Sequence, residues 1–61
     1  MKSYIEKQYK QAIREYKGAI DENARWVARK QMARLEALGA EMYGFEFADA
    51  LGAELRAEQS V

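Results

Sequence analysis

The chain contains no cysteine and no histidine. The first absence excludes disulfides and thiolate metal sites. The second removes the commonest metal ligand and the commonest acid–base group at neutral pH. Nucleophilic catalysis loses its usual activator as well, because Ser3 and Ser60 have no imidazole to take their protons. Proline is also absent, so nothing in the sequence forbids helix over any stretch. Glycine is sparse. Gly18, Gly39, Gly44 and Gly52 are scattered, so no glycine-rich loop exists to cradle a phosphate. Long apolar runs are missing too: charges break every stretch well short of the ~20 residues a bilayer demands. The opening MKSYIEKQYK lacks the apolar segment of a signal peptide. The initial Met and the lack of a tag lead us to expect a complete small gene product. Missing Cys fits a cytoplasmic setting.

What remains is 61 residues, of which 49% are hydrophobic. One domain, residues 1–61, is the most this length allows. The apolar content is above the range of disordered chains. A domain of this size buries only ~60% of the surface its unfolded chain exposes, and small folds often rely on a disulfide, a metal or a partner. Without Cys and His, the partner is the natural choice. No cofactor and no small-molecule substrate are expected.

Ala, Glu, Lys, Gln, Arg and Leu dominate, and all are strong helix formers. Ser3 and Glu6 have the spacing of a capping box. Beyond them Ile5, Tyr9, Ala12, Ile13, Tyr16 and Ile20 recur at steps of three and four, which is one apolar stripe of a helix. This helix is placed at about 4–20. Gly18, Asp21 and Asn23 cluster at a turn, and Asp21 or Asn23 can cap a second helix. The apolar phase also runs on through Ala24, Val27 and Ala28. The alternative architecture is therefore one long helix here, giving a helical hairpin that dimerises.

The second helix is placed at about 22–43. Its inner face is drawn through Val27, Ala28, Met32, Leu35 and Leu38, with Trp26 at the edge. Gly44 followed by Phe45 has the form of a Schellman stop. Gly39 then lies inside the helix, where it permits close backbone approach. Phe45, Phe47, Ala48, Leu51 and Leu55 define a third helix at about 46–58, with Glu58 to Val61 expected to fray. The fold class is all-α, a small three-helix bundle.

Charge is segregated along the chain. Residues 1–34 hold nine basic and four acidic residues, a surplus of five positive; residues 35–61 hold one basic and six acidic, a surplus of five negative. Lys7, Lys10, Arg14 and Lys17 recur at three, four and three, so they form one basic stripe on helix 1. Arg25 and Arg29 add a turn of helix 2. Such a stripe suits a phosphate backbone. It suits equally the acidic C-terminal segment, met within the fold or across a dimer. Glu46 with Asp49, and Glu54 with Glu58, share helix faces; with no histidine nearby they read as a solvated acidic surface.

Two functions fit this pattern. The first is a non-enzymatic protein–protein interaction module, a small regulator or inhibitor that self-associates or binds a larger protein. Its contact residues are Trp26, Tyr43, Phe45 and Phe47 where these are not core, since aromatics dominate interface hot spots. The alternative is a nucleic-acid-binding accessory protein using Lys7, Lys10, Arg14, Lys17, Arg25 and Arg29. Neutralisation of the basic stripe by the acidic segment favours the first; a continuous basic face favours the second. No membrane role is expected. No motif marks a known family.

Overall fold

The computed structural model describes residues 1–59. They form three packed helices: α1 (Lys2–Lys17), α2 (Glu22–Tyr43) and α3 (Phe45–Gln59). No strand occurs among the described residues. Glu58 and Gln59 are still helical, so the expected fraying is not seen there. Ser60 and Val61 lie outside the described residues.

The layout is open. α2 packs along both α1 and α3, while α1 and α3 barely touch. The Cα extents are 33 × 23 × 16 Å. The result is a small three-helix bundle with α2 in the middle, its α1–α3 seam the smallest of three and bridged by Leu51 and two ion pairs.

The helix ends differ from the sequence expectation. The Ser3–Glu6 capping box does not form, because α1 starts at Lys2 and Met1 holds the cap position without a side-chain bond. The Lys2 ammonium lies 5.1 Å from the Tyr43 ring centre and 5.8 Å from that of Phe47, within cation–π reach. At its other end α1 stops at Lys17, not residue 20. Gly18 N–H donates to Arg14 O and Ala19 N–H to Tyr16 O, a tightened last turn. Asp21 then takes an extended backbone, φ −146° and ψ 173°, and its Oδ1 accepts from Ala24 N–H at 2.8 Å. That cap rules out the single long helix and leaves Ile20 94% exposed in the turn. Asp21→Ala is expected to cost roughly 0.5–2 kcal/mol, read as a lower midpoint in urea denaturation; an unchanged midpoint contradicts the cap's role.

Gly44 stops α2 as expected but not as a Schellman cap. Its φ is 95° and its ψ 167°, outside the left-handed helical well and in a region that glycine alone visits readily. Its N–H still donates to Ala40 O, and its C=O accepts from Ala48 N–H. One residue thus ends α2 and begins α3, and so α3 opens at Phe45 instead of residue 46.

The core comprises Ile5, Tyr9, Ala12 and Ile13 from α1, Ala28 and Met32 from α2, and Leu51 from α3. Tyr16, Leu35, Tyr43, Phe47 and Leu55 pack partly buried around it. The α1 stripe is therefore as read, apart from Ile20. On α2 the inner face is turned from the expected one: Val27 and Leu38 are exposed, and Ala28, Met32 and Gly39 are buried. Small residues lie inward because the neighbouring helices come close. A Cβ on Gly39 would sit 2.8 Å from Phe47 Cδ2 and 2.9 Å from Phe47 Cε2.

Candidate interaction surface on helix α2

Side chains facing the core occupy one arc of α2, through Ala28, Met32, Leu35, Gly39 and Tyr43. At ~100° per residue, Val27 and Leu38 fall on the flank beside this arc. Trp26, Lys30, Arg34 and Glu41 lie further round. All six are exposed. The apolar members are large: Trp26 is 59% and Leu38 37% exposed, with Val27 and Met42 between them. Just past Gly44, Phe45 projects at 80% exposure. Trp26 is covered on one side by the Lys30 ammonium, 4.7 Å from the ring centre.

The flank continues onto α1. Tyr4 and Gln8 share a shallow hollow with Gln31, Arg34 and Leu35, and Tyr4 is itself exposed. No α3 residue lines this hollow. It opens on the side of the α1–α2 hairpin away from α3, where a fourth helix would sit in a complete bundle.

The four aromatic residues singled out from sequence divide into two kinds. Tyr43 and Phe47 are half-buried and pack edge to face, centroids 5.3 Å apart at 64°, under the Lys2 ammonium. They are committed to internal packing. Trp26 and Phe45 are free at the surface, but they lie at opposite ends of α2, about 28 Å apart at 1.5 Å per residue. They bracket the flank and form no single patch. Val27, Leu38 and Met42 lie between them. The apolar period alone assigns the first two to the core, so it misses this part of the surface. The signal that finds them is the alternative phase through Ala28 and Gly39, which offers the small residues that close packing needs.

Two of the four cations of the α1 stripe have an acidic partner within the fold. Lys10 Nζ lies 3.5 Å from Glu54 Oε1, and Lys17 Nζ 2.8 Å from Glu58 Oε1. Arg14 Nη2 donates to Gln11 Oε1 at 2.7 Å. The Lys17 ammonium holds the Glu58 carboxyl below its usual range. These pairs span the α1–α3 seam, where direct packing is thin. They are solvent-exposed, so they orient α3 more than they stabilise it. Arg25 and Arg29 stand apart, sharing a shallow hollow with Trp26, Tyr16, Glu22 and Asn23 at the α1–α2 turn.

One titratable contact lies near the core. The Tyr9 ring is fully enclosed, and its hydroxyl donates to Glu36 Oε2 at 2.6 Å. Burial first, and the bond to Glu36 second, hold the phenol above its ordinary value. This pair joins α1 to α2 as a structural tie. Among the described residues no group of Asp and Glu side chains could hold a metal ion, and no helix is long and apolar enough to cross a membrane.

No protein family matches the chain, and neither curated proteins nor solved structures give a significant match.

Proposed function

We propose that this chain is a non-catalytic protein–protein interaction module whose contact surface is the outward flank of α2 together with Phe45. The observation that carries the reading is that Trp26, Val27, Leu38, Met42 and Phe45 stay exposed while α3 neutralises part of the α1 cationic stripe. Val27, Leu38 and Met42 share one flank of α2, and large exposed apolar side chains that cluster in this way mark docking surfaces, whereas Trp26 lies further round the helix. A chain without His or Cys has little means for acid–base or nucleophilic chemistry. A small regulator or inhibitor in the cytoplasm is the role that this size and composition suit best.

A photo-crosslinking residue tests the reading directly. Placed at Leu38 or Phe45 in the native host, it is expected to give one discrete adduct. At Ala53, exposed on α3, it is expected to give none. Equal labelling from all three sites, or none from any, counts against the module.

A second reading rests on the hollow that gathers Arg25, Trp26 and Arg29 beside Tyr16. Cations beside aromatic faces suit single-stranded nucleic acid. Such binding would be strongly salt-dependent, and an absent gel shift at ~50 mM salt eliminates it.

A further inference from the structure

We infer that the occupant of the α2 flank is a second copy of this chain, lying antiparallel across a twofold axis at the level of Glu36. The inference rests on the reading of α2 as the contact surface and adds the partner's identity and orientation.

The spacing comes first. Along α2, Val27, Gln31, Arg34, Leu38 and Glu41 are separated by steps of four, three, four and three. That is the spacing of a two-helix coil, with only Val27 and Leu38 apolar, so the pairing rests on charge as much as on packing. Phe45 stands just beyond its end, past the Gly44 stop. All six residues are exposed, and none belongs to the core arc. Reversed about the level of Glu36, the seam maps onto itself. Val27 meets the level of Phe45 of the second copy, Gln31 that of Glu41, and Arg34 that of Leu38. An isologous contact requires this kind of self-complementarity.

Charge then fixes the direction. Lys30 and Arg34 lie towards the start of the flank, and Glu41 towards its end. At ~100° per residue the three fall within about 40° of one line along the helix. A parallel pair would set Lys30 and Arg34 against their own copies and Glu41 against Glu41. An antiparallel pair brings Glu41 of each chain between Lys30 and Arg34 of the other, twice over by symmetry, and opposes the two helix dipoles. Among the described residues, the ion pairs within the chain join α1 to α3 and leave Lys30, Arg34 and Glu41 out; Lys30 rests on the Trp26 ring. The 22 residues of α2 give a helix of about 33 Å. The α1–α2 flank with Tyr4 and Gln8 lies beside this seam and extends it.

Sedimentation equilibrium of the full chain tests this. The wild type is expected to move with concentration from the 7.0 kDa monomer mass towards twice that value. Glu41→Lys alone, and Lys30→Glu with Arg34→Glu, are each expected to weaken association about tenfold or more, because every ionic contact becomes repulsive. An equimolar mixture of the two variants is expected to regain wild-type association, since each supplies the charge that the other needs. All three positions are solvent-facing, so circular dichroism should show native helix in both variants. A wild type that stays at the monomer mass, variants that associate as tightly as the wild type, or a mixture that fails to recover overturns the self-pairing. If the monomer persists while Leu38 still crosslinks to a different protein, self-pairing fails and the module reading stands. If the crosslink is also absent, both fall.

Discussion

Tyr9→Ala is expected to leave the chain without a stable fold. The Tyr9 side chain is 0% exposed and, with Ile5, is the largest fully buried one. Truncating a buried aromatic costs about 3–5 kcal/mol. At ~0.05–0.15 kcal/mol per residue, a chain of this length has only roughly 3–9 kcal/mol in total. The expected result is loss of helical circular dichroism or of a cooperative melt at room temperature; a melt within a few degrees of wild type contradicts the placement of Tyr9. Tyr9→Phe separates the ring from the hydroxyl. It keeps the packing and strands the half-buried Glu36 carboxylate, which costs about 1–3 kcal/mol, nearer the lower figure because Glu36 keeps some water. The phenol is held above its ordinary value in the fold, so the hydroxyl's contribution is complete below the unfolded value of ~10 and declines as pH rises above it. The stability gap between wild type and Tyr9→Phe should therefore narrow above pH ~10. A gap that stays constant across that range would count against a buried phenol bonded to Glu36.

Gly39 gives the second large effect, and there two physical terms oppose each other. Gly39→Ala in the middle of a helix should gain ~1 kcal/mol from propensity alone. Against this, the new Cβ would meet the Phe47 ring at 2.8 and 2.9 Å. That ring is backed by Tyr43, so it has little room to turn, and overpacking costs about 1–3 kcal/mol. The clash wins, and Gly39→Leu enlarges it enough to dislodge α3. Each lost kcal/mol lowers Tm by about 4–8 °C for a chain of this size. Gly52→Ala supplies the contrast. Its Cβ would meet only Arg56 Nη1, at an ordinary 3.5 Å, so the propensity gain should survive and Tm should rise. If both alanine variants shift Tm in the same direction, the close approach of α2 and α3 at Gly39 is wrong.

These two sites also show how far the sequence can be read. Composition and apolar period yield the three helices, with α2 placed at its observed limits, because helix formers without proline leave few other solutions. Asp21 is readable as a cap because its chemistry is local. Ser3 misleads, because the helix begins one residue before it and Met1 takes the cap position without a side-chain bond. The phase of α2 is hidden for another reason. Val27 and Leu38 look more core-like than Ala28 and Gly39 on hydrophobicity alone. Close helix packing reverses that order, since only small residues let Phe47 approach. That one reversal turns expected core into exposed surface, and it creates the candidate site. The charge split, by contrast, is visible at once, and Lys10–Glu54 and Lys17–Glu58 show part of it closing inside the fold.

Self-pairing through the outward flank of α2 is tested most directly by a dilution series of amide correlation spectra. Resonances of Val27, Gln31, Arg34, Leu38, Glu41 and Phe45 are expected to move together with concentration, while those of Ala53 on α3 stay fixed. Shifts confined to Lys7, Arg14 and the rest of the α1 stripe, or spread evenly over the chain, would contradict it.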